Sequence, residues 1–141
     1  MNTLEKIFIV LVFFVITISA CSPKNKTTRD LSTPSKIIVG HWRSPDDWPE
    51  EWVLEWYFGN FDENGNARCF SNDPPDRESK PYTCQIYEVQ ENRLWIRFLM
   101  EDGKKKYQFP FTPSNDGQTM IFDDDVPLDY IDSTTEPESA N

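Results

Sequence analysis

Few side chains in this sequence can do nucleophilic or ligating chemistry. There are three cysteines, Cys21, Cys69 and Cys84, and one histidine, His41. A hydrolytic triad needs a histidine between a nucleophile and a carboxylate. His41 instead stands beside Trp42 in a strand-like run, and the sequence has no Gly-x-Ser-x-Gly elbow. It is expected to face solvent or a barrel mouth. A single histidine also makes a poor zinc site. Carboxylates come in runs, Asp46-Asp47, Glu50-Glu51, Asp62-Glu63 and Asp123-Asp124-Asp125. A glycosidase needs two facing each other across a cleft, whereas such runs usually solvate turns. From Asp62 the acidic spacing suits calcium, but the sixth position, which needs Gly, is Ala67. Asp123–Asp125 offers at most a weak calcium site. No catalytic residue, metal or cofactor is expected.

Five tryptophans remain: Trp42, Trp48, Trp52, Trp56 and Trp95. Trp42, Trp52 and Trp56 are expected to pack in the core, where aromatic rings supply large buried area. Trp48 lies in Pro45-Asp46-Asp47-Trp48-Pro49. On so stiff a loop it is either a lid over a barrel end or an anchor for a protein or a sugar ring. Trp95 falls on the water-facing side of its strand, either covered by another element or part of an exposed patch. Trp48 and Trp95 are thus the candidate binding residues. Lys104-Lys105-Lys106 reads as a solubilising start to a hairpin strand.

The elements that position these residues read as strands separated by turn signals. Ile37–Arg43 is the first, and Ser44–Glu51, with two prolines, is a loop. Trp52–Phe61 places Trp52, Leu54, Trp56 and Phe58 on one side at period two. Asn64-Gly65 turns into Asn66–Phe70. Ser71–Pro81 is a loop, because Pro81 is not expected in a central strand. Tyr82–Val89 follows, then a turn at Gln90–Asn92. Arg93–Met100 and Lys104–Phe111 form a hairpin about Asp102-Gly103. A two-residue loop there sets Phe98 opposite Tyr107, Ile96 opposite Phe109 and Leu94 opposite Phe111, three apolar cross-strand pairs on one face. Gln118–Phe122 and Val126–Ile131 complete the set. The fold class is all-β: a small antiparallel meander of seven or eight strands, closing into a barrel or folding as a half-open sheet.

The start of the chain carries a different signal. An apolar run, Ile7–Ile18, precedes Ile18-Ser19-Ala20-Cys21. The run is too short for a membrane span, which takes roughly 20 residues, and suits an export signal. The four residues resemble the lipobox of bacterial lipoproteins. That resemblance implies a diacylglycerol on the Cys21 sulfur, removal of residues 1–20 and usually an acylated new amino terminus. More than one acyl chain gives stable anchoring. Ser22, in place of the Asp that favours inner-membrane retention in that family, implies an outer-membrane anchor facing the periplasm. The implied organisation is a signal peptide over residues 1–20 and a lipidated cysteine with a flexible tether over 21–35. A β domain follows over 36–132, then a disordered tail over 133–141.

With Cys21 taken by lipid, Cys69 and Cys84 remain in an exported chain. A disulfide is expected in an oxidising compartment, and free thiols or metal ligands are the alternative. Antiparallel pairing of the strands flanking Ser71–Pro81 would bring the two within bridging distance. The formal net charge of −10 is unchanged when Glu5 and Lys6 leave together. Such acidity argues against nucleic acid as a partner.

Gly40-His41-Trp42 resembles the Gly-x-Trp start of lipocalin-like domains, in which the tryptophan closes one end of a barrel able to hold a small apolar ligand. The small barrel lipoproteins that inhibit lysozyme are similar in size, anchor and disulfide use. The expectation is therefore a non-catalytic envelope lipoprotein, anchored to the membrane by lipid, whose barrel binds an envelope protein or other ligand. A carrier of a small apolar molecule and an inhibitor of a cell-wall hydrolase are the alternatives.

Overall fold

The computed structural model describes residues 28–72 and 77–138. Cys21 and the lipobox lie outside them. Eight antiparallel strands run through the described residues: β1 (Gly40–Arg43), β2 (Glu55–Phe58), β3 (Asn66–Asn72), β4 (Ser79–Gln90), β5 (Arg93–Leu99), β6 (Lys105–Pro113), β7 (Thr119–Phe122) and β8 (Val126–Asp132). Each pairs with the next in sequence, and β8 returns to β1, so the sheet closes as a barrel. Closure removes the sheet edges that an open meander would expose.

Alternation decides which side chains fill the interior. Trp42, Trp56, Phe58, Phe98 and Phe111 are buried, with Leu94, Ile96, Met120 and Leu128 around them. The Trp56 ring sits 5.0 Å from Phe98 and 5.5 Å from Phe111, and Phe58 sits 5.3 Å from Phe111. Offset and edge contacts at these spacings are the favourable aromatic geometries. The three hairpin pairs, Phe98↔Tyr107, Ile96↔Phe109 and Leu94↔Phe111, form as expected. The turn itself is longer: Met100 N–H donates to the Lys104 carbonyl, and a bulge next to Leu99 absorbs the extra residue.

Several sequence expectations give way to packing. Trp52 is not in the core. It is 62% exposed, on a 3-10 turn at Glu50–Trp52, because β2 begins only at Glu55. Ile37 does not begin a strand. Pro34–Ile37 forms a one-turn helix, α1, with proline in its first turn. This turn buries Ile37 and Ile38 against one barrel end, and β1 starts at Gly40, whose φ of +126° suits glycine alone. Pro81 lies inside β4, opposite Phe70. It is tolerated because β5 has ended at Leu99, opposite Thr83, leaving Pro81 a strand neighbour on one side only.

Cys69 and Cys84 form the expected disulfide, with Cα atoms 6.0 Å apart. They are diagonal rather than opposed, since Cys69 faces Tyr82 and Cys84 faces Ala67. The packed unit also extends past residues 36–132. Arg29 donates to the carbonyls of Gly117 and Ile37 and lies 3.4 Å from the Tyr130 ring centroid. At the other terminus Glu136 pairs with Arg68 at 3.1 Å and Pro137 is buried. Polarity marks both segments as unable to form a core of their own, but not as unable to dock on one.

Candidate functional site

The strand registers sort the loops between two barrel ends. Gly40 pairs with Phe58 at one end, and Arg43 pairs with Glu55 at the other. Asp132, where β8 runs out, pairs with His41 near the first end, and Arg29 is fastened to the Gly117 turn there too. The first and last described segments, before β1 and after β8, therefore both lie at the end plugged by Ile37 and Ile38. The Ser44–Leu54 segment crosses the opposite end.

That segment is stapled at its base. Ser44 N–H donates to the Leu54 carbonyl at 3.0 Å, and the Ser44 hydroxyl accepts from Leu54 N–H at 2.8 Å. Asn72 acts as a substitute strand: its side-chain amide donates to the Val53 carbonyl and its carbonyl accepts from Glu55 N–H, both at 2.8 Å. Within the loop, Trp48 N–H bonds the Pro45 carbonyl and Trp52 N–H bonds the Pro49 carbonyl, at 3.1 and 2.9 Å. Arg77 ties the outside by donating to the Glu51 carbonyl. Its φ of +60° is a left-handed conformation held without glycine. An open groove of about 520 Å³ runs beside the loop between Glu50, Val53, Glu55, Asn72 and Arg77. The loop thus presents the indole of Trp52 on a rigid scaffold.

Neither expected candidate is the exposed indole. Trp48 is half-buried in the same loop. Trp95 is half-buried on the outer face of β5, with the Arg93 guanidinium 4.5 Å from its ring centroid and Tyr87 at 6.4 Å. Arg97 lies 3.9 Å from the Tyr87 ring in turn. Trp95 is therefore covered by an arginine of its own strand. Trp52 escaped the sequence reading because period two extended the β2 pattern backwards through it. Pro45 and Pro49 already put Glu50 and Glu51 in the loop, and no breaker residue between Trp52 and Glu55 marks the later start of β2.

His41 lies on the outer face at the β1–β8 seam. Its ring stacks on Tyr57 with centroids 4.1 Å apart. Glu55 Oε2 lies 3.6 Å from Nε2 and Asp132 Oδ1 lies 3.8 Å from Nδ1, both longer than a hydrogen bond. The His41 imidazole, ahead of the opposing effect of burial, and then the Tyr57 hydroxyl hold the Glu55 carboxyl below its ordinary range. Burial, and then its bond to Glu55 at 2.8 Å, push the Tyr57 hydroxyl well above its ordinary range. The hydroxyl nearest the histidine is thus held protonated, the reverse of what a nucleophile needs. Among the described residues, no three His, Cys, Asp or Glu side chains are grouped to hold a metal ion.

No protein-family model, curated protein sequence or solved structure matches the chain.

Proposed function

We propose that the protein is a lipid-anchored lipoprotein of the cell envelope, moored to the outer membrane through Cys21 and facing the periplasm, whose barrel is a non-catalytic binding module. The observation that carries the binding reading is Trp52: a large apolar side chain, 62% exposed, on a loop stapled by Ser44, Asn72 and Arg77. Binding hot spots are enriched in tryptophan, and a preordered anchor loses little entropy on docking. The arrangement of the ends supports the same reading. A tether from Cys21 would enter at the plugged end and leave the Trp52 loop pointing away from the bilayer, towards proteins of the envelope. The filled interior weighs against a carrier, since Trp56, Phe98 and Phe111 occupy the space a cargo needs.

Two experiments test this. Palmitate should label the wild-type chain and not Cys21→Ala, which should leave the membrane fraction; a soluble wild type, or a variant that stays with membranes, removes the anchor. A photoreactive phenylalanine analogue in place of Trp52, in intact envelopes, should cross-link a discrete protein partner. The same analogue replacing the exposed Ile121 should not. Equal capture from both positions, or none from position 52, removes the docking site.

A further inference from the structure

We infer that the surface docking at Trp52 is a basic one, so that the partner is a protein presenting lysine or arginine side chains to this loop. The inference rests on the docking reading above and adds the partner's chemistry to it.

Two independent features point to a cation. The first is the treatment of three partly exposed rings on the barrel wall. Tyr130 has Arg29 at 3.4 Å, Tyr87 has Arg97 at 3.9 Å and Trp95 has Arg93 at 4.5 Å. In each case the chain supplies a guanidinium to the ring face, the arrangement the ring quadrupole favours. Trp52 is more exposed than any other large apolar side chain described, and no described cation lies over it. The indole, the best of the rings for this contact, is 62% exposed without one.

The second feature is the charge of the loop that carries it. Asp46, Asp47, Glu50 and Glu51 are all exposed within the same loop, and none has an ion-pair partner among the described residues. By contrast, Lys36 lies 3.1 Å from Asp30 and Arg68 lies 3.1 Å from Glu136. The cations nearest the loop are already engaged. Arg43 faces Glu55 at 3.8 Å, and Arg77 donates to the Glu51 carbonyl. An exposed indole on the same loop as four carboxylates without an ion-pair partner complements a lysine or arginine placed on the ring, with further cations on the loop. The chain's net charge of −10 steers such a partner towards it.

The test uses the full chain and three synthetic peptides of equal length, Lys/Arg-rich, Gln-rich and Glu-rich, read by tryptophan fluorescence with Trp52→Phe as the reference. Two variants remove equal charge. One is Asp46→Asn, Asp47→Asn, Glu50→Gln and Glu51→Gln in the loop. The other is Glu88→Gln, Glu101→Gln, Asp123→Asn and Asp125→Asn elsewhere. The expected result is binding of the basic peptide alone, weakened about tenfold or more by the loop variant, and by Trp52→Ala when binding is read by calorimetry. The control variant should change it by no more than about twofold. Equal losses in the two charge variants would show diffuse attraction and overturn the inference, as would a basic peptide that leaves the Trp52 signal unmoved. If the peptide fails while position 52 still cross-links an envelope protein, docking stands and the basic partner falls.

Discussion

Trp42 donates its indole N–H to the Ile38 carbonyl across 2.8 Å, inside the barrel and four residues back along the chain. This bond fastens the plug at Ile37 and Ile38 to the first strand. It closes the end where the first and last described segments lie, opposite the end crossed by the Ser44–Leu54 loop.

Removing this link should therefore cost stability and leave the Trp52 surface intact in whatever remains folded. Trp42→Ala empties a fully buried site, and large-to-small changes of this type cost about 3–5 kcal/mol. Trp42→Phe keeps most of the packing but leaves the Ile38 carbonyl without its donor, at about 1–3 kcal/mol. Urea denaturation of both variants checks the order. A Phe variant as stable as wild type would show that the bond contributes nothing.

Arg29 makes the second fastening, and Gly117 makes room for it. A Cβ on Gly117 would lie 2.7 Å from the Arg29 guanidinium, and the residue's φ is +70°. Gly117→Ala is thus expected to expel Arg29 and to strain the turn, whereas Arg29→Ala only releases the segment. Two hydrogen bonds from a charged donor and a ring contact together suggest about 2 kcal/mol for Arg29→Ala. Hydrogen exchange should show the loss concentrated at Ile37–Val39 in both variants, with Gly117→Ala the less stable. Unchanged protection in Arg29→Ala would mean the segment is held by Ile37 and Ile38 alone.

What could be read from the sequence follows from which forces are local. The β5–β6 pairing was legible because Asp102-Gly103 and the alternation of Leu94, Ile96 and Phe98 agree, and the bulge at Leu99 corrected the one-residue error in the turn. The disulfide was legible from the compartment that the lipobox resemblance implies. Trp52 was not, because alternation alone does not mark where a strand begins, and Asn72, the side chain that ends the loop, lies 17 residues from the Glu55 N–H it accepts from. The docking of Arg29 and of Glu136 was equally hidden, since each depends on one long side chain meeting a surface that exists only after the barrel closes. Of the two tryptophans the sequence nominated, Trp48 shares a loop with the exposed indole and Trp95 is covered.

The Cys69–Cys84 bridge spans 15 residues of sequence between fully buried sulfurs. Closing a loop of that size in the unfolded chain is worth about 3 kcal/mol in the chain-entropy model. The double variant Cys69→Ala, Cys84→Ala should lose about that much in urea, and reductant should leave its midpoint unmoved while lowering that of the wild type. A wild-type midpoint insensitive to reductant in the denatured range would show that the bridge is absent in the protein tested.

The pH dependence of stability should carry the signature of His41. Glu55 is lowered below its ordinary 4.5, foremost by His41. Asp132 is pushed up by burial, but the Thr134 hydroxyl and N–H, with His41, outweigh this and bring it below its ordinary 3.8. A carboxyl depressed in the folded state binds fewer protons there than in the unfolded chain, so stability rises with pH through the window between the two values. The contribution is complete above the unfolded values and lost as pH falls through the lowered ones, that is, below about pH 4. Asp30 and Asp116, lowered chiefly by the hydroxyls of Ser32 and Ser114, add an acid limb that does not involve His41. His41→Phe keeps a ring against Tyr57 and removes the imidazole nitrogens that face Glu55 and Asp132. Its acid limb should therefore be shallower than that of the wild type but not flat, measured as urea midpoints from about pH 7 down to about pH 2.5. Superimposable profiles would show that the two carboxylates owe their low values to groups other than the histidine.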